Sequence, residues 1–171
     1  MNRNKLYMWC KMWGLALCCG LMLASCAKKK VEIEIGSHMP DFTLTETVGT
    51  KTLLGKPTLI VFFATWCPAC QSELECVQGE FELYKGGNKI NILGIARGEN
   101  QEAIELYWRD HGFAFPVYAD PQRKVYALFA EKEIPRCYLF DASGKLVFQS
   151  KGYSPEQVED LHKMVQLRVS F

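Results

Sequence analysis

Residues 58–73 read TLIVFFATWCPACQSE, an apolar run that delivers Cys67 and Cys70, three positions apart, into a different pattern. The stretch TLIVFFA (58–64), rich in β-branched and aromatic side chains, directly follows Lys56-Pro57. Such a run predicts a strand buried on both faces. Beyond it Cys70, Leu74, Val77, Phe81 and Tyr84 recur at helical spacing until Gly86-Gly87 ends the pattern. KINILGIA (89–96) predicts a second buried strand. Strand, helix and strand in this order form a βαβ unit, with parallel strands and a right-handed crossover.

The rest of the chain extends that unit. Asn100 is placed to cap a helix through about His111, closed by Gly112, and Asp120-Pro121 is read as opening another that ends near Phe129. CYLFD (137–141) and KLVFQS (145–150), joined by Ala-Ser-Gly, predict a hairpin. Ser154-Pro155-Glu156-Gln157 is a capping box leading a final amphipathic helix. Residues 42–54 are read as a short extra hairpin before the first buried strand. The order predicts an α/β sandwich, with one domain over 36–171 and no internal repeat.

The N-terminus stands apart. MNRNKLYMWCK carries Arg3, Lys5 and Lys11 and no acid, and an uncharged apolar run follows it to Ser25. This is the layout of a secretory signal, too short for the roughly 20 residues of a permanent span. Leu23-Ala24-Ser25-Cys26 resembles the bacterial lipobox, which implies cleavage after residue 25 and lipidation of Cys26. Residues 26–35 then form a lipidated tether, and the domain faces the periplasm or other extracytoplasmic space from a membrane. Of the eight cysteines, Cys67, Cys70, Cys76 and Cys137 remain in the domain, in an oxidising compartment. Without the signal, 17 basic residues face 19 acidic ones, a net charge of −2 that points to no nucleic-acid partner.

The spacing of Cys67 and Cys70 admits a redox pair, half of a metal site or a structural disulfide. Position favours the first. Cys67 falls at a helix N-terminus, where unpaired N–H groups and the positive dipole end stabilise a thiolate, so it is read as the exposed nucleophile. Cys70, in the first turn of that helix, is turned toward the core and within reach of a disulfide with Cys67. Pro68 suits the first helical turn. A further candidate element is Glu133-Ile134-Pro135-Arg136 at the start of the hairpin. Its proline fits a strand's first residue, in either isomer.

The chain resembles the thioredoxin-fold thiol-disulfide oxidoreductases of the TlpA/ResA type over roughly residues 36–165. The residues that carry the likeness are Pro40-Asp41-Phe42-Thr43-Leu44, Gly55-Lys56-Pro57, Phe63 to Cys70, Glu73, Phe115-Pro116, Asp120, Ile134-Pro135, Leu139-Phe140-Asp141 and Ser143-Gly144-Lys145. The resemblance implies a three-layer α/β/α sandwich on a mixed sheet, a parallel βαβ half, and a C-terminal hairpin and helix. It implies Cys67 as nucleophile, Cys70 as resolving cysteine, and a redox-active Cys67–Cys70 disulfide in place of any cofactor or metal. Glu73 matches the family's acidic position, where a carboxylate tunes thiol pKa values or relays a proton. Ile134-Pro135 matches the family's cis-proline bond. Trp66, Pro68, Ala69, Ile134, Pro135 and Arg136 form the implied substrate surface. Implied partners are protein thiols and disulfides, apocytochrome c among them, and a membrane thiol-disulfide transporter as electron donor.

The chain departs from the family pattern in four respects. Pro68 and Ala69 stand where the family usually has Pro just before the second cysteine, Val61 occupies the place of thioredoxin's Asp six residues before the first cysteine, and Glu75 replaces a helix-kinking Pro. Arg136 replaces the Thr after the cis-proline, and is read either as a cation beside Cys67 or as a surface arginine. Two other functions stay open on the residues alone, a thiolate module for Cu(I) or Zn(II) and a thiol peroxidase. Cys76 and Cys137 are read as buried thiols or as a second disulfide.

Overall fold

A computed structural model describes residues 32–169. The signal expected over 1–25 and the lipidation expected at Cys26 lie outside the described residues.

The apolar run becomes β1 (Thr58–Phe63), buried at every position. After it come α2 (Pro68–Tyr84), β2 (Asn91–Arg97), α3 (Gln101–His111) and β3 (Val117–Asp120), with the one-turn helix α1 (Thr50–Leu53) preceding β1. A one-turn α4 (Tyr126–Phe129), the hairpin β4 (Arg136–Phe140) and β5 (Leu146–Lys151), and α5 (Pro155–Val169) complete the order. The strands form one mixed sheet in the order β3-β2-β1-β4-β5. β1 runs parallel to β2, with Phe63 opposite Ala96, and antiparallel to β4, with Val61 opposite Cys137.

Side-chain alternation along β1 splits the core in two. Leu59, Val61 and Phe63 join Leu74 and Val77 of α2, Ile104 and Trp108 of α3, and Leu161 and Val165 of α5 on one face. Ile60 and Phe62 join Met39, Phe42, Tyr126, Phe129 and Tyr138 on the other. Both βα crossovers advance the sheet in the same direction, so their right-handedness puts α2 and α3 on one side. The opposite layer consists of the short helices α1 and α4 with the N-terminal segment. At Gly94 a Cβ would lie 3.2 Å from the rings of Phe63 and Trp108, so the glycine lets this aromatic cluster seat on β2.

Three expectations change. Asp120-Pro121 does not open a helix: Asp120 ends a short edge strand, and Arg123, at φ 58°, breaks helical continuity. The Asp120 carboxylate instead accepts the Tyr126 N–H at 2.8 Å and starts α4 five residues beyond Pro121. Residues 42–54 form an isolated Thr43–Gly49 bridge followed by α1, because Thr50 is drawn inward to donate to the Pro40 carbonyl at 2.7 Å. The end of the expected tether is part of the packed domain. Ile33 donates to the Phe129 carbonyl at 3.2 Å, and Glu32 pairs with Arg136.

Candidate active site

The C-terminal end of β1 brings Ala64, Thr65 and Trp66 to the edge of the sheet, and Cys67 is the N-cap of α2 with Pro68 as its first helical residue. The backbone N–H of Cys70 bonds the Cys67 carbonyl at 3.0 Å, which closes the first turn and brings both thiols to one end of the helix. Thr65 is pinned by Glu99, which accepts its N–H at 2.8 Å and its hydroxyl at 2.5 Å.

Cys67 is 9% exposed, less open than the sequence suggested, because it joins the core cluster against which Ile134 packs. Its neighbours Trp66, Pro68 and Ala69 are exposed, Trp66 at 68%. The Cys70 thiol lies beneath, wholly buried and hydrogen-bonded to Cys67. Burial raises its pKa, and the Cys67 hydrogen bond and the negative charge of Glu73 raise it further, against a lowering backbone hydrogen bond at Ala64. Cys70 is therefore a protonated thiol at neutral pH and needs a base before it can attack.

Glu73 lies one turn further along α2, 2% exposed. The Cys137 thiol donates to its Oε1 at 2.8 Å, while Oε2 is buried and has no hydrogen-bond partner among the described residues. Burial raises the Glu73 pKa and the Cys137 bond lowers it. Cys76, Cys137 and the two cysteines at the helix start are all free thiols. Cys137 is held protonated by burial and then by the Glu73 charge, and the half-buried Cys76 is raised by burial and bonded to Tyr153.

The Ile134-Pro135 bond is cis. Pro135 is buried, and its carbonyl accepts the Gly152 N–H at 3.0 Å. Glu133, at φ 74°, is fixed by the Tyr126 hydroxyl donating to its carbonyl at 2.6 Å and by Lys151 on its carboxylate at 2.6 Å.

Arg136 fits neither of its expected places. It is 3% exposed, and strand alternation sends it with Tyr138 and Phe140 to the sheet face away from Cys67. There its guanidinium meets Glu32 at 2.9 Å, the Lys132 carbonyl at 3.2 Å and the Tyr138 hydroxyl at 3.4 Å. Cys137, the next residue, takes the redox face instead.

The structure thus gathers Trp66, Cys67, Pro68, Ala69, Cys70 and Glu73 at one end of α2, with Ile134 packed against the Cys67 cluster and Pro135 next to it in the chain. It removes Arg136 from that set and adds Glu99 and Cys137. The Phe63–Ala96 register could have found Glu99, since it brings the residues just after β2 beside those just after β1. Among the described residues, no group of three or more His, Cys, Asp or Glu side chains is arranged to hold a metal ion.

The chain is similar to several proteins named as thiol-disulfide oxidoreductases. The thiol-disulfide oxidoreductase ResA of Bacillus anthracis is 28% identical over 141 residues, covering 80% of this chain and 81% of that protein. ResA of Bacillus subtilis is 29% identical over 122 residues, covering 69% and 68%. Among solved structures, a Bacteroides thetaiotaomicron protein provisionally assigned as a protein disulfide isomerase superposes with a TM-score of 0.76 at 27% identity. It covers 81% of this chain and 92% of that one. A thioredoxin-family thiol:disulfide interchange protein of Chlorobium tepidum, at 23% identity and a TM-score of 0.65 over 80% of this chain and 99% of its own, shares the fold. The AhpC/TSA family profile matches residues 35–149, more than half of the sequence, and on this thioredoxin-like scaffold the chain belongs to the AhpC/TSA family.

Proposed function

We propose that the protein is a thiol-disulfide oxidoreductase of the ResA/DsbE type, tethered to a membrane through Cys26 and reducing protein disulfides outside the cytoplasm. The observation that carries this reading is the pairing of Cys67 at the N-cap of α2 with a wholly buried Cys70 in the first turn of the same helix. In the first step the Cys67 thiolate attacks one sulfur of a substrate disulfide. A Cys67–substrate disulfide forms, the substrate S–S bond breaks, and the departing thiolate takes a proton from water. In the second step the Cys70 proton passes to the Glu73 carboxylate, and Cys70 attacks the Cys67 sulfur. The Cys67–Cys70 disulfide forms and the second substrate thiolate leaves, so two electrons have moved to the substrate.

In the proposed direction the Cys67–Cys70 dithiol gives two electrons to the substrate disulfide and is left as the disulfide. A membrane thiol-disulfide transporter then restores the dithiol. The likeness to ResA-type proteins makes apocytochrome c the substrate to try beside a generic disulfide.

The test is reduction of insulin by residues 32–171 with dithiothreitol as electron source. Wild-type protein accelerates it, Cys67→Ser falls to the uncatalysed rate, and Cys70→Ser accumulates a mixed disulfide on Cys67. Activity undiminished in Cys67→Ser refutes the reading.

A further inference from the structure

Cys137 has no part in the two-cysteine cycle, yet it contacts the one carboxyl that cycle uses. Its Sγ lies 2.8 Å from Glu73 Oε1 and is wholly buried. The contact joins β4 to α2 across the core, and among the described residues it is the only hydrogen bond to the Glu73 carboxyl, since Oε2 has no partner. A carboxylate out of water needs donors to remain ionised.

From this geometry we infer that Cys137 is a positioning residue for the resolving step, its S–H holding the Glu73 carboxyl in place and in the ionised form that accepts the Cys70 proton. The inference rests on the oxidoreductase reading above and deepens it. The S–H bond is not itself broken in the cycle: the proton moves from Cys70 sulfur to a Glu73 oxygen and, after release of product, to water.

The surroundings leave Cys137 as the donor. On its own helix Glu73 has Cys70 and Cys76 as titratable neighbours, with Glu75 and Glu80 acting on Cys76. From β4 comes Cys137, and from β5 Ser150 beside it. The segment before α5 supplies Tyr153, which bonds Cys76 and feels the Glu73 charge, while α5 adds the apolar Leu161 and Val165. Every charged neighbour among these is an acid, so nothing except a hydrogen bond favours the Glu73 anion. The Cys137 bond lowers the Glu73 pKa against the rise that burial imposes. Cys137 itself stays protonated, its thiol pKa raised by burial and then by the Glu73 charge, which fixes the donor direction.

The experiment is the pH profile of insulin reduction by residues 32–171 in wild type, Cys137→Ala and Cys137→Ser, with the Glu73 carboxyl followed by infrared spectroscopy in the same proteins. In Cys137→Ala the acid limb moves to higher pH, and turnover measured on that limb falls about tenfold for each pH unit of displacement. The protonated carboxyl band persists to correspondingly higher pH. Cys137→Ser, whose hydroxyl still donates, keeps both the limb and the band near wild type. A Cys137→Ala limb superimposable on wild type overturns the inference and leaves the oxidoreductase reading standing, as does a Cys137→Ser limb displaced as far as that of Cys137→Ala. A lowered melting temperature with an unmoved limb identifies a packing role and likewise overturns it. Absence of Cys67-dependent turnover in wild type removes the reading itself, and the inference with it.

Discussion

Replacing Glu73 by Gln is expected to raise the stability of the domain while lowering its turnover, and the gain should depend on pH. The carboxyl is 2% exposed, has one hydrogen bond from Cys137 and leaves Oε2 without any. Burial lifts its pKa above the ordinary 4.5. Above pH 4.5 the native state therefore holds the Glu73 proton more tightly than the unfolded chain does. With more protons bound in the native state, stability falls as pH rises through the interval between the unfolded and folded pKa values. The amide of the Glu73→Gln variant does not titrate and has no such interval. At pH 4 the Glu73 carboxyl is mainly protonated in both states, and the pH-dependent part of the difference is small. At pH 8 wild type carries a buried carboxylate with one oxygen unpartnered, a penalty of about 1–3 kcal/mol that the amide escapes. A domain of this size shifts its melting temperature by about 3–4 °C for each kcal/mol. The variant should gain about 3–12 °C over wild type at pH 8 relative to their difference at pH 4. Calorimetry or thermal circular dichroism of the dithiol proteins at both pH values measures it. Any partner the new amide lacks affects both pH values equally and cancels in the comparison. An equal difference at the two pH values, or a variant that loses ground at pH 8, would refute the reasoning.

Two further outcomes concern the segments that hold the site. Glu32→Gln removes the nearer counter-charge of the Arg136 side chain, 4% exposed, and leaves it the Glu133 carboxylate at 3.9 Å, a carbonyl and a hydroxyl. Urea unfolding should report a loss of about 1–3 kcal/mol, less than a fully buried pair gives because the Glu32 side chain is 33% exposed; an unchanged midpoint would show that the pair does not neutralise Arg136. Glu99→Ala frees both groups of Thr65 two residues before Cys67. Insulin reduction should drop about 3–10-fold, in line with about 1 kcal/mol of lost positioning, with the far-UV spectrum unchanged, and full activity would exclude Glu99 from site organisation.

Local pattern made most of the scaffold legible. The unbroken apolar run of β1, the helical spacing from Cys70 to Tyr84, the Asn100 cap and the Ser154 capping box each encode their element within a few neighbouring residues. The elements form as read, with Asn100 accepting the Ala103 N–H at 2.9 Å and the Ser154 hydroxyl accepting the Gln157 N–H at 3.3 Å. Several of the missed features turn on a contact that is distant in sequence. Val117–Asp120 is a strand because Gly94 to Arg97 lie beside it, and its four half-buried or buried residues carry no alternation of their own. Asp120 looked like a helix start because Pro follows it, whereas its carboxylate caps Tyr126. Glu99 reaches Thr65 across 34 positions, and Cys137 reaches Glu73 across 64.

Arg136 is the most instructive of these, because its misplacement follows from a rule available in the sequence. A residue directly after the cis-proline was read as near Cys67, but in a strand only every second side chain shares a face. With Cys137 and Leu139 packed among the thiols, Arg136 and Tyr138 have to point the other way. β4 thus fixes the loop at its start from both sides of the sheet. On one side Cys137 bonds the Glu73 carboxyl, and on the other Arg136 bonds Glu32 at the N-terminal edge of the packed domain. A displacement of β4 along its axis by one residue would exchange the two faces, burying the guanidinium among the thiols and turning the Cys137 thiol away from its carboxyl. The two buried polar contacts therefore specify the same register, and that register is what brings the Glu73 oxygen and the Cys137 thiol together at the end of α2.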